Sequence, residues 1–415
     1  MSRALMALGT DLVRIGAARS IQYALHDLHR GLPDIPVYRV DVEGRIDRWG
    51  VLIPVRPEGF VMRQEDGVAM HYDSLPWWLF DLRPQGYLGR AFVARHGVAL
   101  GLPDRLGDWS DTDVLRALLS HGQDGVGHLL LGERARDRFV SAFVPAPILD
   151  AHKAVRYARL AQEAARGELP GSAAAGEQPK FTAYAMTVDG PRQVIVKFSE
   201  AEDNPVSERW RDLLLAEHLA LEVLREAGIA AAETQIIEHG GQRFLESVRF
   251  DRVGRLGRAT LISLAALDAE FLGAGALAWP LMARQLALAR RIRPAAVERV
   301  NVLWAFGVLI GNTDMHSGNL SFVSGLGRAY DIAPAYDMSP MAFAPRAGGG
   351  LPDSLPEATL HASVPNLSWR RAEALAAVYL ARMETATGFS SRFRPCIAAL
   401  NQHLTRAGAK IARLG

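Results

Sequence analysis

The nine residues Val302-Leu303-Trp304-Ala305-Phe306-Gly307-Val308-Leu309-Ile310 form an unbroken apolar run that stops at Gly311. Such a run is buried as helix or strand, and it ends where a glycine lets the backbone turn. Asp314, His316 and Asn319 follow on a segment bounded by Gly311 and Gly318. Apolar residues resume at Leu320-Ser321-Phe322-Val323, break at Gly325-Leu326-Gly327 and return as Arg328-Ala329-Tyr330-Asp331-Ile332. The pattern predicts a short hairpin leading into Ala335-Tyr336-Asp337. The fold must therefore root a loop of three chemically different polar side chains in its core, with a further aspartate one hairpin away.

Asp314 stands five positions before Asn319. That is the Asp-x-x-x-x-Asn spacing of phosphoryl-transfer loops, where the aspartate orients an attacking hydroxyl and the asparagine holds magnesium on the nucleotide phosphates. The spacing alone is common, so its context carries the weight. Asp337 lies where kinases place a second metal aspartate. His316 takes the position at which ordinary protein kinases carry lysine. Asp-x-His-x-x-Asn is the form found in aminoglycoside phosphotransferases and lipid kinases, with the imidazole donating to the γ-phosphate or bracing the loop.

Upstream, Gly171-Ser172-Ala173-Ala174-Ala175-Gly176-Glu177-Gln178-Pro179-Lys180 is built of small residues and closed by a lysine. It reads as a phosphate-cradling loop or as a flexible linker. Seventeen residues later, Lys197 sits in the apolar strand Gln193-Val194-Ile195-Val196-Lys197-Phe198. A buried ammonium needs an anionic partner unless it snorkels at a strand edge. Glu217, twenty residues on and within a largely apolar helix, is the expected partner, the alternative being a solvated charge. Val248-Arg249-Phe250, at the end of the next strand, is the expected hinge that offers backbone groups to adenine.

Composition sets the class. The chain has 415 residues, of which 49% are hydrophobic and 22% charged, enough for two or three domains with a large core. A formal charge of +2 is too mild for nucleic acid as the main ligand. The single cysteine, Cys396, excludes an intramolecular disulfide and reads as structural. With no leader and no apolar run near the roughly 20 residues of a membrane span, the expected location is the cytoplasm and no membrane partner is expected. Four lysines stand among 47 basic residues, and two of them, Lys180 and Lys197, fall inside these motifs.

Ser2–Leu8 followed by the arginine-bearing hairpin of residues 11–25 reads either as a partial winged helix-turn-helix, with DNA contact through residues 1–25, or as a helix and hairpin docked on the rest. Residues 36–150 read as short strands with a helix around Leu115 to Leu119. The aromatic and proline-rich Leu75–Arg90 is a domain core or a docking patch. A domain boundary is expected between Ala161 and Ala175. The predicted class is α+β, a bilobal protein-kinase-like fold divided into residues 1–30, a β-rich subdomain 36–150, an N-lobe 151–252 and a helical C-lobe 253–415.

Together these motifs resemble the HipA family of serine/threonine kinase toxins. Gly176-Glu177-Gln178-Pro179-Lys180 is similar to the family's Gly-x-Gln-x-Lys loop, Arg249-Phe250-Asp251-Arg252 to its Arg-Phe-Asp-Arg hinge, and Ala335-Tyr336-Asp337 to its metal motif. Leu75–Arg90 resembles the signature of its N-terminal subdomain. The resemblance spans roughly residues 36–415 and is closest to the YjjJ-like branch. It implies ATP and Mg2+ as cofactors, Asp314 as catalytic with Lys197 and His316, and Asn319 and Asp337 as metal ligands. Ala175, Gly176, Glu177, Gln178, Pro179, Lys180, Lys197, Val248, Arg249, Phe250, Asp314, His316, Tyr336 and Asp337 would line the nucleotide site. It further implies a protein substrate of the translation apparatus, such as an aminoacyl-tRNA synthetase, and an antitoxin partner. Two positions depart from the family pattern. The family's phosphorylatable serine falls at Ala173, with Ser172 one place earlier, and Val248 replaces the glutamate that usually precedes Arg-Phe-Asp-Arg. Two other readings compete: a small-molecule kinase of the aminoglycoside-phosphotransferase type, and a DNA-binding regulator with a vestigial kinase domain.

Overall fold

Strand β4, Ile46–Arg56, organises the first part of the molecule, pairing with β2, β3 and β5. In this computed structural model, residues 11–16, 21–142, 145–166, 178–275, 277–324 and 329–414 are described. Ser2–Leu8, Ser172, Ala173, Ala175, Gly176 and Glu177 lie outside them. The chain divides into two units, one built from residues up to Pro145 together with Asp251–Ala259, the other from Ala146–Arg166, Gln178–Phe250 and Thr260 onward.

In the first unit a seven-stranded sheet runs in the order β1-β2-β4-β3-β7, with β5 on β4 and β6 on β5. Its strands are β1 Leu12–Ile15, β2 Gln22–His26, β3 Ile35–Val40, β5 Phe60–Gln64, β6 Ala69–Tyr72 and β7 Leu129–Leu131. Side chains alternate across a strand, so β4 and β5 serve two cores at once. Leu52, Phe60 and Met62 face a cluster with Trp78, Leu79, Leu115 and Leu118, whereas Ile53, Val55 and Val61 meet Val13 and Ile15 from β1. The hairpin β1–β2 is therefore part of this sheet. Leu75–Arg90 supplies core: Trp78 is buried edge-on to Trp49, ring centres 4.9 Å apart.

Three helices follow, α1 Gly86–Leu100, α2 Asp111–His121 and α3 Gly132–Val140. The sequence pattern predicts only the second. Helix α1 hides behind three glycines of low helix propensity. One of them, Gly89, is required, because a Cβ there would lie 2.8 Å from the Pro84 carbonyl carbon.

In the second unit, α4 Asp150–Ala165 precedes a four-stranded sheet of β8 Lys180–Thr187, β9 Gly190–Phe198, β10 Thr234–His239 and β11 Gln242–Val248, ordered β10-β11-β9-β8. Alanines sustain α4 to Ala165, inside the stretch from Ala161 to Ala175 where a boundary is expected. Helix α5, Pro205–Glu226, starts where the Asn204 side chain accepts from the Val206 and Ser207 N–H groups.

After Phe250 the chain contributes a small hairpin, β12 Arg252–Val253 and β13 Gly257–Arg258, to the first unit. Arg252 donates to the carbonyls of Gly127 and Gly125 at 3.1 and 2.7 Å and pairs with Asp251 and Asp124 at 2.7 and 2.9 Å. Gly257 passes so near the Val42 carbonyl that a Cβ would stand 1.9 Å from its oxygen.

The remainder is mainly helical: β14 Ile262–Ser263, α6 Leu264–Phe271, α7 Trp279–Leu288, α8 Pro294–Ile310, the strands β15 Ser321–Val323 and β16 Asp331–Ile332, then α9 Asn366–Thr385 and α10 Arg394–Ile411. The apolar run at 302–310 is the end of α8, buried almost throughout. The expected hairpin forms, with Phe322 opposite Ile332. Among the described residues no helix is long and apolar enough to cross a membrane.

Candidate active site

The site grows from the end of α8. Gly311 takes the left-handed conformation, φ 78°, and its N–H with that of Asn312 closes the helix on the Gly307 and Val308 carbonyls. Met315 then folds back over α8 at Gly307, where a Cβ would meet its sulfur at 2.2 Å. This explains a glycine inside the apolar run. Trp279 Nε1 donates to the His316 carbonyl at 3.1 Å, holding the loop from the other side.

Asp314 and His316 are exposed, as a residue that meets a substrate must be. His316 Nδ1 accepts the Gly318 N–H at 3.0 Å, which makes the ring a brace and puts the proton of the neutral imidazole on Nε2. Gly318 fits because a Cβ there would approach that ring to 2.8 Å. Asn319 Nδ2 donates to the Asp314 carbonyl at 2.8 Å, so its amide oxygen is the atom left for a cation. Tyr336 Oη donates to the Gly318 carbonyl at 2.9 Å and shares a hydrogen bond with Ser321 Oγ at 2.6 Å.

Lys197 on β9 lies opposite Leu245 of β11 on one side and Lys180 of β8 on the other, so both lysines point to one face of the sheet. Its ammonium donates to both Glu217 oxygens, at 2.6 and 2.8 Å, and to Asp337 Oδ1. The expected pairing with Glu217 is formed, and the two residues are 9% and 5% exposed. Burial alone would strip the proton from Lys197, but Asp337 and then Glu217 outweigh it and keep the group an ammonium. Burial likewise pushes the Asp337 carboxyl up, yet Lys197 and then Lys180 hold it below the ordinary carboxylate range. Glu217 goes the other way, raised by burial against the pull of Lys197.

Asp337 has φ 54°, a left-handed backbone that costs a residue with a Cβ about 1–3 kcal/mol. The surroundings impose it. The preceding residues lie beside the strand entry, with the Ala335 N–H donating to the Ala230 carbonyl and the Ala335 carbonyl accepting from the Ala232 N–H, each at 2.9 Å. Non-glycine strain of this kind concentrates where a side chain must be aimed.

The donor set suits a hard cation. Asp337 offers carboxylate oxygen and Asn319 amide oxygen, the ligands magnesium takes when phosphate oxygens complete its shell. Among the described residues no group of three His, Cys, Asp or Glu side chains would hold a metal unaided. At the segment expected to be the hinge, the N–H groups of Val248 and Arg249 are spent on the Glu233 and Gln193 carbonyls, each at 2.9 Å. Phe250 is half-buried and its ring lies 5.7 Å from that of Tyr336. Gln178 and Pro179 are half-buried and Lys180 is 4% exposed, while Ala175, Gly176 and Glu177 lie outside the described residues.

Sequence comparison now decides the family. Residues 172–406 match the model of the HipA-like C-terminal domain, and residues 32–140 that of the YjjJ-like toxin, middle domain. The chain belongs to the HipA family. Within it, the Escherichia coli (strain K12) protein Toxin YjjJ is 38% identical over 413 residues, covering 99% of this chain and 93% of that protein. The HipA chain of a Shewanella oneidensis MR-1 complex of HipA, HipB and operator DNA shows 14% identity over 91% of this chain and 97% of its own, with a TM-score of 0.49. The Helicobacter pylori proinflammatory kinase CtkA shows 13% identity over 57% of this chain and 93% of its own, with a TM-score of 0.41. The HipA membership agrees with the α+β, kinase-like architecture expected from the motifs.

Two features of the site escaped the sequence. Asn312 was a loop residue without an assigned role, and Tyr336 gave no hint of its bond to Gly318. Outside the site, the buried Lys153 also went unread, its partners Gln235 and Glu246 lying 82 and 93 positions away.

Proposed function

We propose that this protein is an ATP- and magnesium-dependent serine/threonine kinase that arrests growth as the toxin of a toxin-antitoxin system. The observation that carries this reading is the ammonium of Lys197 held between Glu217 and Asp337. It supports a role for Lys197 on the nucleotide phosphates, with Lys180 opposite it on β8 and Gln178 and Pro179 just before that strand. Asn319 and Asp337 would hold magnesium, which neutralises charge on the transferring phosphoryl group. Asp314 orients the substrate hydroxyl and accepts its proton, and His316, braced by Gly318, directs Nε2 toward the same space.

The kinase N-lobe and C-lobe of this reading are residues 151–252 and 253–415. Its partners are a protein of the translation apparatus, such as an aminoacyl-tRNA synthetase, and an antitoxin, with DNA contact through residues 1–25, all in the cytoplasm. The relatives support the toxin half of the reading, one being named a toxin. Purified protein with γ-labelled ATP, magnesium and cell extract is expected to label itself or a protein of the extract. Asp314→Asn should lower that transfer by roughly 10²–10⁴-fold and relieve toxicity on expression. Undiminished transfer by that variant overturns the mechanism.

A further inference from the structure

Asn312 is 5% exposed and stands between the two loops that carry the site. Its Oδ1 accepts the Asp314 N–H at 3.0 Å and its Nδ2 donates to the Asp337 carbonyl at 3.2 Å. Its own N–H is fixed to the Gly307 carbonyl at 2.8 Å, so the side chain is referenced to the end of α8. The amide orientation is settled by chemistry. Turned over, it would set NH2 against the Asp314 N–H and oxygen against the Asp337 carbonyl, two repulsions in place of two bonds.

An amide is the side chain that meets both demands at this reach. Aspartate keeps the acceptor and loses the donor, serine is too short to span the two loops, and glutamine adds a methylene in a buried place. The carbonyl that Asn312 holds belongs to Asp337, whose φ of 54° needs a restraint beyond the Lys197 contact. Lys197 restrains its carboxylate and Asn312 its backbone.

We propose that Asn312 is a positioning residue that locks Asp314 and Asp337 to one another through a single side-chain amide, and so sets the metal-binding aspartate before magnesium arrives. The role rests on the kinase reading above. It acts on the geometry of the metal site rather than on the nucleotide, because Asn312 bonds to backbone atoms of both loops and to neither carboxylate.

The test is ATP binding measured by calorimetry with and without magnesium on the full chain, with thermal unfolding recorded alongside. Asn312→Asp is expected to bind ATP without magnesium within about twofold of the unaltered protein. The gain in affinity that magnesium brings should shrink by roughly tenfold or more, the range for losing a group that orients a metal ligand. Asn312→Ser, which keeps an acceptor but cannot reach Asp337, should behave alike. Unaltered protein that binds ATP more tightly with magnesium, together with variants showing the same gain, overturns the positioning role and leaves the kinase reading standing. So does an equal loss with and without metal, or loss of the thermal transition in both variants, since Asn312 would then hold the fold alone. Unaltered protein that binds no ATP overturns the kinase reading and this role with it.

Discussion

The two faces of the sheet β8–β11 each bury a lysine against a glutamate, and they do so to different ends. On one face Lys153 of α4, 2% exposed, donates to Glu246 at 2.9 Å, Gln235 at 3.1 Å and Asp150 at 3.0 Å. Tyr157 completes the set with a 2.5 Å bond to Glu246, and its ring packs on Phe181 and Phe244. On the other face Lys197 meets Glu217 at 2.6 Å and Asp337, whose side chain is 27% exposed and whose backbone is strained. Both networks reach solvent, the first at Asp150, whose side chain is 66% exposed, and the second at Asp337. Only the second ends on a residue with a left-handed backbone. A buried lysine–glutamate pair is thus by itself no mark of function; what sets the Lys197 pair apart is the strained residue at its end.

This contrast breaks if the two lysines fail alike. Removing one partner of a buried pair costs about 3–5 kcal/mol. Lys153→Met is therefore expected to lose that much stability in chemical denaturation while the folded fraction keeps its phosphoryl transfer. Lys197→Met should lower transfer by roughly 10²–10³-fold. Its stability should fall by less, since it also frees Asp337 to relax. Equal stability losses, or a Lys153 variant inactive when folded, would place both faces in the same class.

Tyr157 sharpens the comparison. Burial and then Glu246 raise its hydroxyl well above the ordinary 10.0. A raised acid favours folding below its unfolded value, so the contribution of Tyr157 to stability should be constant up to about pH 10 and decline above it. Tyr157→Phe should cost about 1.5–3 kcal/mol at neutral pH, the worth of a bond to a charged group, and flatten part of that alkaline decline. An alkaline slope identical to that of the unaltered protein would remove Tyr157 from the Lys153 network.

The smallest effect is expected at Gly307. The Cβ of Gly307→Ala displaces Met315, at a cost of about 1–3 kcal/mol for an overfilled contact. Transfer should fall with it, because Met315 adjoins Asp314. A stable variant with unaltered transfer would show that the loop does not depend on this seat.

How far the sequence could be read follows from the same two faces. Lys197, Glu217, Asp314, Asn319 and Asp337 were legible because each lies in a local pattern that its chemistry contradicts: a cation in an apolar strand, polar side chains after an apolar run. Lys153 sits in an alanine-rich helix where a lysine excites no notice, and Glu246 pairs with it across 93 positions. Asn312 was hidden for another reason. Its function lies in two hydrogen bonds to backbone atoms, which no residue type advertises. At the expected hinge, Val248 to Phe250, the N–H groups of Val248 and Arg249 are engaged by neighbouring carbonyls, a matter of strand register rather than composition.

The hairpin of residues 251–259 has a practical bearing on any attempt to divide the protein. A fragment beginning at Ala146 would carry Arg252 and Arg258 but leave behind Gly125, Gly127 and Gln123, whose carbonyls receive them. Two guanidinium groups built for burial would then face water on a ribbon whose Gly257 no longer has Val42 to lean on. The second unit is discontinuous in sequence and is not expected to be portable. Deletion or domain exchange should move the residues up to Pro145 and 251–259 together, or replace the hairpin by a polar turn.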